Sequence, residues 1–91
     1  MLLRLNPAVD LYWRHWDSDW VVFDVASGDT HQIDELTACA LLCLEEGPLD
    51  DEALVAEVAA ATSLPEEAIQ PVLHGAVREL TRLGLVDTLL E

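Results

Sequence analysis

The sequence predicts an α+β domain in which three antiparallel strands precede three helices and a short C-terminal strand. Three observations carry this reading. Bulky residues alternate with polar ones between residues 11 and 33; helical spacing of apolar residues takes over between residues 35 and 83; and the switches fall at capping residues or glycines.

The first strand is LYWRHW, residues 11–16, whose aromatic-rich alternation suits a half-buried strand. Asp17-Ser18-Asp19 reads as a three-residue hairpin loop, with Asp19 taking the left-handed conformation and Trp16 falling opposite Trp20. Val21, Val22 and Phe23 form the packed part of the second strand. Val25-Ala26-Ser27-Gly28 then turns the chain, Gly28 allowing positive φ, into a third strand, Thr30-His31-Gln32-Ile33. That strand is half-polar, which is unexpected in a chain with little core to spare.

Asp34 caps a first helix, ELTACALLCLEE, that ends at Gly47-Pro48. Its apolar residues extend nearly all round, with Leu36, Cys39, Ala40, Cys43 and Leu44 on one face and Leu41 and Leu42 beyond it, so it should lie centrally. Asp50 caps the second helix, DEALVAEVAAA, with Leu49 and Leu54 as a hydrophobic staple; Leu54, Val58 and Ala61 face inward, Glu52 and Glu57 outward. Ser63 and Glu66 have the spacing of a capping box for the third helix, along which Ile69, Val72, Leu73, Ala76, Val77, Leu80 and Leu83 form a wide stripe. Pro71 is too deep for the first turn. Either the helix kinks there, or a turn precedes a helix that starts near Pro71. Gly84 ends the helix, and Leu85 to Leu89 supply the closing strand.

Composition limits what such a domain can do. The 91 residues, 52% hydrophobic, are expected to form one domain over residues 1–91. Eighteen acidic residues face four basic ones, Arg4, Arg14, Arg78 and Arg82, for a net charge of -14 that repels phosphate, so neither nucleic acid nor an anionic membrane is expected as a partner. No stretch approaches the ~20 apolar residues of a membrane helix. The start, MLLRLNPAV, carries Arg4 inside its apolar run and lacks a cleavage-like region, which points to a cytoplasmic protein.

No motif for catalysis stands out, and the expectation is a protein that is not an enzyme and uses no cofactor. Cys39 and Cys43 are spaced i, i+4 but lack a supporting C-x-x-C or H-x-x-x-H pair, so they read as small core hydrophobes rather than metal ligands, and His15, His31 and His74 complete no site. Ser27-Gly28-Asp29 has no following lysine and acidic neighbours, so it is a turn and not a phosphate loop. Trp13, Trp16 and Trp20 are read as hairpin or core packing. The helical half also has the outline of a winged helix-turn-helix, in which Gln70, His74, Arg78 and Arg82 would meet DNA. Glu66, Glu67 and Glu79 on the same surface leave too few cations for phosphate neutralisation, so a DNA-binding regulator is the alternative and not the first reading. A further alternative is a structural or dimerising subunit that pairs its own strands and binds no peptide.

Taken in order, the aromatic hairpin from Trp13 to Trp20, VVFDVASGDTHQID, ELTACALLCLEEGPLD, the S-x-x-E turn and the helix ending ELTRLGLVD resemble the PqqD family. These are small peptide chaperones related to the recognition elements for ribosomally made, modified peptides (RiPPs). The resemblance covers about residues 9–88. VVFDVASGDTHQID is especially similar to the PqqD-like branch found with an HPr-kinase-related protein, the HPr-rel-A system. The resemblance implies a non-catalytic adaptor, monomeric or homodimeric, that binds a precursor or leader peptide and presents it to a modifying enzyme. The peptide would add as a strand to Thr30, His31, Gln32 and Ile33, in a groove whose helical wall draws on Val72, Leu73, Ala76, Val77 and Leu80, with Arg78 fixing an acidic peptide residue. Strand addition is physically reasonable, because an exposed strand edge offers unpaired N–H and C=O groups. Two features depart from this pattern. Pro71 falls within the groove helix, where it bears on the contacts at Ile69 and Val72, and the acidic charge favours a neutral or basic peptide.

Overall fold

The computed structural model describes residues 2–17 and 19–89. Its strands are β1 (Leu2–Leu5), β2 (Leu11–Trp16), β3 (Asp19–Asp24), β4 (Asp29–Ile33), β5 (Leu49–Asp50) and β6 (Val86–Leu89); its helices are α1 (Glu35–Glu45), α2 (Asp51–Thr62) and α3 (Glu66–Arg82). The expected meander is present as an antiparallel sheet ordered β2-β3-β4, followed by the three helices and the closing strand. A second antiparallel sheet, β5-β1-β6, was not legible in the sequence. It brings β1 against β6, Leu2 opposite Leu89 and Leu5 opposite Val86, and so ties the two ends of the described chain together. Asn6 secures that junction: its side-chain amide donates to the Gly84 carbonyl (2.8 Å) and its backbone N–H to the Leu85 carbonyl (2.9 Å).

The first hairpin differs in register from the expectation. Trp16 pairs with Asp19 and His15 with Trp20, so the loop is one residue shorter and Asp17, at φ 52°, is the left-handed residue in place of Asp19. Ser18, counted into that loop, lies outside the described residues. Strand side chains alternate between faces, so the new pairing decides which aromatics meet. Trp20 stacks on His15 (centroids 4.2 Å apart) and meets Trp13 edge-to-face (5.8 Å), while Trp16 turns to the opposite, outer face and is 59% exposed. Phe23, expected to pack, shares that outer face with Tyr12 and is exposed; on β3 it is Val22 that is fully buried.

The core lies between the β2-β3-β4 sheet, the helices and the β5-β1-β6 sheet. Helix α1 packs on α2, α3, β1 and β3, the central position predicted from its all-round apolarity. Its buried residues are Thr37, Ala38, Ala40, Leu41 and Leu44, whereas Leu36, Cys39 and Cys43 stay half-buried at the flank. Asp34 caps α1 by accepting from the Thr37 N–H (2.8 Å), and Asp50 caps α2 by accepting from the Ala53 N–H (2.7 Å). On α2, Leu54, Val55 and Val58 are buried and Ala61 is exposed, which corrects its assignment to the core.

The capping box at Ser63 does not form. Ser63 ends α2 in a left-handed conformation (φ 59°), and Pro65, with no side-chain donor or acceptor, is the N-cap of α3. Glu66 is therefore the first residue of α3, not its third, and cannot reach back as a capping box requires. Helix α3 runs unbroken through Pro71. Pro71 is exposed, so the Glu67 carbonyl that loses its partner at that turn lies where water can supply one.

Candidate functional site

Among the described residues, the β2-β3-β4 order leaves β4 at the sheet edge, paired on one side only, to β3. Thr30 and Gln32 are exposed on the outer face, His31 is half-buried, and Ile33 is buried in the core. The strand is half-polar because one of its faces meets water and the other holds only Ile33 firmly inside. Along the free edge, alternate residues direct N–H and C=O groups away from β3. These groups are the chemical resource of the site.

The turn that delivers β4 is held by Asp24, which sequence reasoning passed over. Its Oδ1 accepts from the Asp10 N–H (3.0 Å) and the Ala26 N–H (3.1 Å), and its Oδ2 accepts from the Ser27 hydroxyl (2.9 Å). The Asp10 bond above all, with those from Ser27 and Ala26, holds the carboxyl below its usual pKa against the opposing effect of burial. The Asp10 carbonyl in turn accepts from the Val25 N–H (2.9 Å), so one side chain locks the β3–β4 turn to the start of β2. The only sequence signal was an aspartate three residues before a serine at a turn.

The residues predicted on α3 divide into three groups. Leu73, Ala76 and Leu80 belong to the core with Ile69. Val72 is 54% exposed, about 140° around the helix axis from Val77. Val77 and Arg78 lie on the other flank, where, with Leu73, they line a cavity of 720 Å³. Its remaining lining comes from Leu3 on β1, Thr88 on β6, Asp51, Glu52, Leu54 and Val55 on α2, and Gln70, His74, Thr81 and Arg82 on α3. Gln70, His74, Arg78 and Arg82, noted in the sequence as one exposed face, are thus together on the cavity, but none of Thr30, His31, Gln32 or Ile33 lines it. The contributions of Leu3 and Thr88 depend on the β1–β6 pairing, which no local pattern announced.

The two cysteines give no reactive centre. Burial pushes both thiols up in pKa, and at Cys43 the neighbouring Cys39, Glu57 and Glu46 add to it, raising the thiol to about 11. A thiol so placed is protonated at neutral pH and is a weak nucleophile and metal ligand. Among the described residues no three His, Cys, Asp or Glu side chains converge as a metal site, and no helix is long and apolar enough to cross a membrane.

No protein-family model matches the chain, and neither does any curated protein sequence. Among solved structures, the chain is similar to TbiB1 in complex with the TbiA(beta) leader peptide, at 20% identity and a TM-score of 0.68 over 97% of this chain and 99% of that one. The likeness is one of fold: the winged-helix-like α+β arrangement is shared along nearly the whole of both chains.

Proposed function

We propose that this protein is a peptide-binding adaptor, a RiPP recognition element, that takes up a leader or precursor segment by strand addition to β4. The observation that carries the reading is the free β4 edge, in a fold similar to that of a protein solved with a leader peptide bound. The exposed backbone of Thr30 to Ile33 would supply the hydrogen bonds, and exposed Val72 the apolar contact open on α3. Leu73, Ala76 and Leu80 would support that surface from beneath. The bound segment would then be presented to a modifying enzyme in the cytoplasm, with no chemistry done by the adaptor itself. The narrower assignment, to the PqqD-like branch that works beside an HPr-kinase-related protein, rests on VVFDVASGDTHQID.

The experiment screens short reading frames near this chain's gene for one whose product binds the unaltered chain, and titrates that product calorimetrically against Gln32→Pro and His31→Pro. Neighbouring residues of a strand direct their N–H groups to opposite edges, so only one of the two substitutions removes a donor from the free edge. That variant should lose binding while keeping the melting temperature. The other should lose a β3–β4 ladder bond and melt earlier. Undiminished binding by both would rule out strand addition.

A further inference from the structure

We propose that the cavity between α2, α3 and the β1–β6 pair is a second docking site, a groove for an amphipathic helix of a partner protein whose apolar stripe is flanked by acidic residues on one side and basic residues on the other. This does not rest on the β4 reading, since no β4 residue lines the cavity.

Size and floor come first. A volume of 720 Å³ falls within the range of about 300–1,000 Å³ typical of ligand-binding clefts. The floor is apolar, formed by Leu54 and Leu73 with Val77 half-buried above them. Lining residues on α3 run from Gln70 to Arg82, which at 1.5 Å per residue is a length of about 18 Å, or roughly three helical turns. The long wall of the groove is a helix whose backbone bonds are satisfied within itself. An extended occupant lying on α3 would therefore leave its own N–H and C=O groups unpaired over an apolar floor, whereas a helical one satisfies them internally.

Charge selects the flanks. The α2 side of the groove carries Asp51 and Glu52, and the α3 side carries Arg78 and Arg82. Of the four arginines, Arg82 is forked onto Glu79 and Arg4 is paired with Asp87, while Arg14, on β2 and away from the cavity, and Arg78, on its wall, have no ion-pair partner among the described residues. In a chain of net charge -14, an unengaged cation on the cavity wall is a place where a carboxylate from outside is welcome. The acidic wall beside it calls for a cation. An occupant with a single sign on both flanks would be repelled by one wall.

Three synthetic helical peptides of about 15 residues, roughly four turns, share one leucine stripe and test this by titration into the isotope-labelled full chain. One has Glu on one flank and Lys on the other, one has Lys on both, and one has Glu on both. The mixed peptide should bind about tenfold more tightly than either single-sign peptide and shift the amide resonances of Val77, Thr81 and Thr88, leaving Thr30 to Gln32 unmoved. Arg78→Glu, which makes both walls acidic, should reverse the preference in favour of the all-Lys peptide. The proposal is overturned if the all-Lys peptide binds the unaltered chain as well as the mixed one, which would be attraction to net charge alone. It is equally overturned if the shifts fall on the exposed Tyr12, Trp16 and Phe23 face, or if a proline-interrupted, non-helical version of the mixed peptide binds as tightly.

Discussion

Strands β2, β3 and β4 follow one another through short turns, whereas β5, β1 and β6 come from residues 49–50, 2–5 and 86–89 and meet only once the helices have brought them together. The first sheet closes small loops at small entropic cost, and the second closes nearly the whole chain. Their faces differ accordingly. The β2-β3-β4 sheet covers the core with Val22 and Ile33 but leaves Tyr12, Trp16 and Phe23 outside and the β4 edge unpaired. The other sheet buries Leu3 and Val86 and completes the wall of the α2–α3 cavity. A sheet held by its own turns can keep an edge free for a partner without endangering the fold, while a sheet made from the chain's ends is a closure on which the fold depends.

The sharpest way to break this contrast is a pair of truncations. Leu3 is 2% exposed, and Leu3→Ala should cost about 2–5 kcal/mol in urea unfolding, the range for deleting a buried leucine side chain. Tyr12→Thr, on the 59% exposed outer face of the other sheet, should change stability by no more than about 0.5 kcal/mol. Equal costs would mean that the outer face is covered in solution, as a strand-paired or face-paired dimer would cover it.

The same contrast explains what could be read from the sequence. The meander and the helices were legible because period-two alternation, Gly28, and the caps Asp34 and Asp50 act within a few residues. Strand β1 was not, because LLRL has no alternation and Leu3 finds its partner Thr88 at the far end of the chain. The misread hairpin register turned on a single loop residue, which moved Trp16 from one face to the other. The capping box failed because Pro65 took the N-cap position, and S-x-x-E spacing does not exclude that. The free β4 edge was foreseeable from strand order. The cavity was not, since Leu3, Leu54, Val77 and Thr88 converge only through the second sheet.

Asp24 is where the local sheet differs most from the distant one, since a single carboxylate carries its turn. The folded state holds this carboxyl below its usual pKa. The sign follows: its stabilisation is fully present above the unfolded value, about 3.9, and is lost as pH falls through the lower folded value. Asp24→Asn should therefore lower the melting temperature at pH 7, and the gap to the unaltered chain should close in acid, where both carry an uncharged group. Comparing the two chains at each pH removes the general relief of acidic repulsion as the solution nears the pI of about 4.1. A gap independent of pH would assign the role of Asp24 to shape and not to charge.

The smallest effect separates two tryptophans in edge-to-face contact on the inner face of that sheet. Trp13 donates its indole N–H to Glu45 (2.9 Å), while the Trp20 indole nitrogen is buried without a partner among the described residues. Replacement by phenylalanine removes similar indole area at both positions, so the difference lies in the N–H. At Trp13 a modest, solvent-accessible hydrogen bond is lost; at Trp20 the cost of burying an unsatisfied donor is relieved. Trp13→Phe should then be the more destabilising of the two by about 1 kcal/mol in urea unfolding. The reverse order would mean that the stack of His15 on Trp20, at 4.2 Å, outweighs the orphaned donor, and that this hairpin is held by the His15–Trp20 pair that the shortened loop created.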